Sequence, residues 1–193
     1  MAVGRKITCL KLFILLLSGI FLSSCAAGDT YHDSIMDFGA IESVAVMPFA
    51  NLSADKQAGD RVRDVLITHL LATEAMYVLP SGEIARGISR VGISDPTAPS
   101  GDEVKKLAGI IKVNAVITGT VREYGVVRSA ATSANVISLS LTMIETDTGK
   151  VVYTASSTKG GISLWDRLFG GGGRPMNDIT EEAIDELLDK LFQ

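Results

Sequence analysis

The chain has 193 residues, 47% of them hydrophobic, 21% charged and 6% aromatic, with 19 Gly and 5 Pro. This balance fits one globular domain plus an appendage and excludes collagen, long disorder and, with only 2 Cys, a disulfide-stapled miniprotein. The 18 Lys+Arg against 22 Asp+Glu give a formal charge of -4, so no overall basic field exists to hold nucleic acid.

Arg5, Lys6 and Lys11 precede a charge-free apolar run from Leu12 to Leu22. That run falls short of the roughly 20 apolar residues a transmembrane helix needs and leads into small residues suited to cleavage, so residues 1–24 read as a secretory signal. Its end, Leu22-Ser23-Ser24-Cys25, resembles the bacterial lipobox, in which the thiol receives a diacylglycerol before the chain is cut in front of the Cys. The resemblance implies cleavage between Ser24 and Cys25, a thioether-linked lipid on Cys25 and an N-acyl chain beside it, together enough apolar area for stable anchoring. Removing 24 residues leaves 169 and takes three cations but no acids, so 15 Lys+Arg face 22 Asp+Glu and the formal charge becomes -7. Cys9 leaves with the signal, so the one remaining Cys is the lipidated one and no disulfide is available. In enterobacterial lipoproteins an Asp after the Cys retains the protein at the inner membrane. By that resemblance Ala26 implies the outer membrane, with the domain facing the periplasm.

Residues 25–40, AAGDTYHDSIMDFGA after the Cys, lack a sustained period and read as a lipidated tether with room for one early helical turn or short strand. Fully extended, they reach about 50 Å. His32 lies here and reads as a solvated residue. The folded domain spans residues 41–193 and opens with the nearly all-apolar run Ser43 to Phe49, a strand buried on both faces. A helix follows from about Ala54 to Thr73, with Ser53 or Asp55 as its cap and Ala58, Val62, Val65, Leu66, His69 and Leu70 on one face. His69 on that apolar side reads as a hydrogen-bonded core or boundary residue. A short strand at Tyr77 to Pro80 leads to a helix from Ser81 that holds Ile84, Ile88 and Val91.

The run from Gly92 to Gly101 is dense in turn residues, and Ser100 with Glu103 then forms a capping-box signature for a third helix carrying Val104, Leu107, Ala108 and Ile111. Three strands come next, at about Ala115–Val127, Asn135–Thr146 and Lys150–Lys159. Ile137, Leu139, Leu141 and Met143 alternate with Ser138, Ser140 and Thr142, the pattern of an antiparallel strand with one covered face. Asp147-Thr148-Gly149 makes a tight hairpin, with Gly149 free to take positive φ. The last helix, Asp178 to Leu191, has Asp178 and Glu181 as a capping box and Ile179, Ala183, Ile184, Leu187, Leu188 and Leu191 on its apolar stripe. Its acidic outer face, Glu182, Asp185, Glu186 and Asp189, reads as solvated.

Three blocks carry a family resemblance: VAVMPFANLSAD (44–55), AVITGTVREYG (115–125) and LSLTMIETDTGKVVYTAS (139–156). They resemble the domain shared by the curli-secretion lipoprotein CsgG, the penicillin-binding-protein activator LpoB and the N-terminal domain of TolB. The resemblance spans roughly residues 41–192 and implies a mixed α/β fold, with a mixed β-sheet of about five strands and flanking helices. It is specific for fold and weak for activity, since these relatives do different jobs. CsgG relatives build a pore by extending paired strands into membrane hairpins. Here only RSAATSA separates the first two long strands, and residues 160–175 are too few and too Gly-rich for two bilayer-spanning strands of about 10 residues each.

The residues for a catalytic or cofactor site are missing from the pattern. Two His, one in the tether and one packed, leave no evident triad. Gly170 to Gly173 continues as Arg174-Pro175-Met176 and lacks the Lys-Ser/Thr of a phosphate loop. Asp55, Asp60 and Asp64 follow helical spacing, and no Cys/His cluster has zinc spacing, so no metal or other cofactor is indicated. The segment Leu164 to Phe169 gathers Trp165, Leu168 and Phe169 before the glycines. It either closes the base of the core or docks on a partner or membrane. The sequence therefore predicts a non-catalytic outer-membrane lipoprotein that binds envelope proteins as an accessory or assembly factor in secretion or envelope biogenesis, with homo-oligomerisation open. The alternatives are an LpoB-like activator of a peptidoglycan synthase and a CsgG-like channel subunit.

Overall fold

The apolar run after Glu42 and the alternating runs after Asn114 pair into one mixed sheet, in a computed structural model that describes residues 30–129, 132–162 and 173–192. In chain order the elements are β1 (Thr30–His32), a 3-10 turn (Phe38–Ala40), β2 (Ser43–Val46), β3 (Ala50–Asn51), α1 (Ala58–Thr73), β4 (Tyr77–Val78), α2 (Ser81–Val91), α3 (Gly101–Ile111), β5 (Ala115–Ser129), β6 (Thr132–Glu145), β7 (Val151–Gly160) and α4 (Met176–Leu191). The sheet runs β1-β7-β6-β5-β2-β4, with β3 also on β5. Contacts of β2 with β4 and β5, and of β3 with β5, are parallel, while β5-β6-β7-β1 is antiparallel throughout. The sheet thus has seven strands where the sequence predicts about five. The two extra ones, β1 and β3, span three and two residues, too few to show a period.

Burial divides the sheet's two faces. On the inner face, Val46, Ile117, Val121, Leu139, Leu141 and Met143 pack under Val62, Leu66 and Leu70 of α1 and Ile179, Ile184 and Leu187 of α4, all of them buried. Each such side chain contributes about 1.5–3 kcal/mol on leaving water. Gly119 lets β5 approach this layer, since a Cβ there would lie 2.6 Å from the Phe49 ring. On the outer face α2 and α3 cover only one end, around Ala45, Val116 and Ile144, with Ile84, Val104 and Leu107.

Beyond that end the outer face is lined by hydroxyls. Thr118, Thr120, Ser138, Ser140, Thr142, Thr154 and Ser156 are half-buried and Thr158 is exposed. Several bond across strands, as in the 3.1 Å contact of Thr142 with Thr154 and the 2.9 Å bond from Thr158 to Ser138.

The Ser100–Glu103 capping box forms, and Gly149 takes φ 69° in the β6–β7 turn. Two other predicted caps do not form. Ser53 donates to Asn51 Oδ1 and Asp55 Oδ1 accepts from Gln57 N–H, so these side chains close a preceding turn and α1 starts only at Ala58. α4 starts at Met176, because Pro175 supplies an extended entry, and Glu181 accepts from Asn177 instead of reaching back to a cap. The stretch RSAATSA, expected as a loop, is strand on both sides: β5 runs to Ser129 and β6 resumes at Thr132. Thr30–His32, in the stretch assigned to the tether, is an edge strand on β7, and the His32 ring sits edge-on to Tyr153 at 5.0 Å and to Phe38 at 5.5 Å.

Candidate interaction surfaces

Between α1 and α4 lies a cavity of about 530 Å³ whose walls include Thr68, His69, Thr73, Asp185 and Phe192. His69 Nδ1 stands 2.6 Å from Asp185 Oδ1, so the residue on the apolar side of α1 is a hydrogen-bonded boundary histidine. A His–Asp pair can serve a nucleophile, but both hydroxyls beside it are spent on their own helix. Thr68 donates to the Asp64 carbonyl and Thr73 to the Leu70 carbonyl. Among the described residues no group of three or more His, Cys, Asp or Glu is placed to hold a metal ion.

The acidic face of α4 is less solvated than its spacing predicts. Lys159 of β7 reaches Glu186 at 2.8 Å and Glu182 at 3.3 Å, Lys190 reaches Glu186 at 2.5 Å, and Arg174 pairs with Glu182. Partial burial alone would raise the Glu186 carboxyl. Hydrogen bonds from Lys159, Lys190 and Ser157 outweigh it and hold the group at about 2. Beneath them the Tyr153 hydroxyl donates to the Leu187 carbonyl at 2.6 Å, and burial raises its pKa. The contacts of Lys159 and Tyr153 fix α4 on β7, while Lys190 and Arg174 come from α4 and its entry.

Past Val121 the β5 side of the ladder turns outward, while Ala134, Val136 and Ile137 on the β6 side stay buried. A bulge between Val121 and Glu123 shifts the register, and Leu52 N–H to the Val121 carbonyl is the last contact with the β3 side. β7 accompanies the pairs as far as Gly160 opposite Val136, and from Val126 opposite Asn135 to Ser129 opposite Thr132 they form a two-stranded arm. Tyr124, Val126 and Arg128 share one face of the arm, and Gly125, Val127 and Ser129 the other. Val126 is 58% exposed and Val127 37%, with Arg122, Glu123 and Arg128 exposed as well.

The residues singled out from the sequence, Ser24, Cys25, Trp165, Leu168 and Phe169, lie outside the described residues. The ends of the segment carrying Trp165 are described. Gly161 N–H donates to the Asn135 carbonyl at 2.8 Å and Asn135 Nδ2 donates to the Arg174 carbonyl at 2.8 Å, so one residue at the root of the arm pins both ends. The sequence predicts the arm's strands as far as Val127 and from about Asn135; what it misses is their extension to Ser129 and back to Thr132, since no hydrophobic alternation marks those residues.

Comparison with known proteins places this fold. The model of the GNA1162-like lipoprotein family matches residues 37–167. Among solved structures, the PelC dodecamer from Paraburkholderia phytofirmans is similar with a TM-score of 0.57 and 18% identity, covering 84% of this chain and 98% of the PelC chain. Lipoprotein GNA1162 from Neisseria meningitidis gives a TM-score of 0.56 at 18% identity, covering 78% of this chain and 98% of that one. The LpoB C-terminal domain from Salmonella enterica gives 0.51 at 12% identity over 66% and 87%. No curated protein matches the chain. At these identities the likeness is one of fold.

Proposed function

This chain belongs to the GNA1162-like lipoprotein family, and on that premise we propose that it is a non-catalytic outer-membrane lipoprotein that assists other envelope proteins in secretion or envelope biogenesis. Residues 1–24 are removed, Cys25 carries the acyl anchor, and the domain faces the periplasm. The observation that carries this reading is the family match over residues 37–167, lying directly downstream of Leu22-Ser23-Ser24-Cys25. Trp165, Leu168 and Phe169 supply a partner contact. The dodecameric state of PelC supports self-assembly of this chain as well.

A second reading, activation of a peptidoglycan synthase, is favoured by the likeness to the LpoB C-terminal domain. A transmembrane pore is disfavoured, because past the bulge β5 offers only residues 123–129, fewer than the about 9–11 that a spanning strand needs.

Intact mass of the protein extracted from its native host's membranes tests the anchor. The expected species begins at Cys25 and carries acyl chains, and it is lost in Cys25→Ala. A full-length or unmodified wild-type chain overturns the anchor. Co-purification with a synthase, followed by faster glycan polymerisation, selects the second reading over the first.

A further inference from the structure

β1 is antiparallel to β7 with Thr30 opposite Ala155 and His32 opposite Tyr153, so the N-terminal end of β1 lies toward the Ser156–Gly160 end of β7. That is the end at which β5 and β6 run on as the arm, since Gly160 lies opposite Val136 and Val136 opposite Gly125. From Cys25 to Thr30 are five residue steps, which reach at most about 18 Å. On a strand, five steps lead from the row of Ala155 only to the row of Gly160. The pairs from Val126 opposite Asn135 to Ser129 opposite Thr132 lie past that row. An acyl chain on Cys25 therefore brings a bilayer surface to the end of the molecule from which the arm projects.

We propose that the end of the β5–β6 arm docks on the lipid bilayer surface, an inference that rests on the reading of Cys25 as acylated. Val126 and Val127 point to opposite faces of the arm and are both exposed. An apolar groove on a protein takes up one face of a ribbon, whereas a lipid surface entered tip-first takes up both. Arg128 is exposed, is in no ion pair among the described residues, and has the long apolar stem that lets its charge sit among lipid phosphates above the buried valines.

The mature chain's single thiol at Cys25 is occupied by lipid, so one introduced cysteine reports one position. Full-length protein carrying Val126→Cys or Val127→Cys, labelled with an environment-sensitive fluorophore, is reconstituted in vesicles of phosphatidylethanolamine and phosphatidylglycerol with and without a nitroxide-bearing phospholipid. Asp147→Cys, in the exposed β6–β7 turn at the opposite end of the sheet, is the reference, and intact mass of each sample reads acylation. The expected result is quenching at 126 and 127 at least twofold greater than at 147. Equal quenching in acylated protein overturns arm docking and leaves the lipoprotein reading standing. Wild-type protein without acyl mass overturns that reading, and arm docking falls with it.

Discussion

The two halves of the β5–β6 hairpin are built from the same ladder and held by different forces. From Ala115 to Val121 and from Ile137 to Met143, alternate side chains are sealed under α1 and α4, so a one-residue slip would move the whole apolar set to the hydroxyl-lined face. In the arm, beyond the bulge at Val121/Glu123, the β5 side from Val126 to Ser129 is exposed, and burial is confined to Ala134, Val136 and Ile137 on the β6 side. The difference teaches that the buried half sets the register and the arm inherits it. The arm's side chains are thereby free to meet something other than the core.

Truncation in the buried half has the largest expected effect on this contrast. Leu139 is fully buried, and Leu139→Ala is expected to cost about 2–5 kcal/mol, measured as a lower urea midpoint with unchanged slope. Next comes Gly119→Val, whose Cβ would meet the Phe49 ring at 2.6 Å and force that ring or β3 to move. A loss of about 1–3 kcal/mol is expected in the same titration. If either change proves neutral, the buried half does not set the register.

A smaller effect concerns the charges that latch α4 onto β7. The Glu186 carboxyl titrates at about 2 in the folded protein, below its ordinary 4.5. The unfolded chain therefore takes up this proton at higher pH than the folded one, so the contribution is full above about pH 4.5 and is lost as pH falls through about 2. The melting temperature of Glu186→Gln should lie below wild type at pH 7 and converge with it near pH 2. A constant offset across that range would mean that the pair with Lys159 and Lys190 does not depend on the charge. The smallest expected effect is in the arm. Val126→Thr and Val127→Thr should change stability by less than about 0.5 kcal/mol, since both sites are exposed and Thr suits a strand.

Elements with strong local signals were legible from the residues alone. Ser100 and Glu103 announce α3 because their bonds are made three residues apart, and the stripe from Ile179 to Leu191 announces the buried face of α4 because it repeats with the helix. What escaped is non-local. Arg-Ser-Ala-Ala-Thr-Ser-Ala reads as a loop from its small polar residues, yet Arg128 and Ser129 on one side and Thr132 to Ala134 on the other are strand, because two neighbouring strands already in register extend by simple continuation. β1 has three residues and no period, and it exists because β7 offers an edge. The acids of α4 look like a solvated face until Lys159 of β7 is brought to them. The anchor at Cys25 and the contact at Trp165 rest on the sequence alone.

Asn135 holds both ends of the segment between Gly161 and Arg174. To the rest of the fold, the number of residues looped out from that clasp matters little, since doubling such a loop costs only about 0.6 kcal/mol. The clasp is thus a socket for evolutionary change. A lineage can exchange, lengthen or shorten what hangs from it without renegotiating the core, and relatives built on this sheet are expected to differ most in that insert.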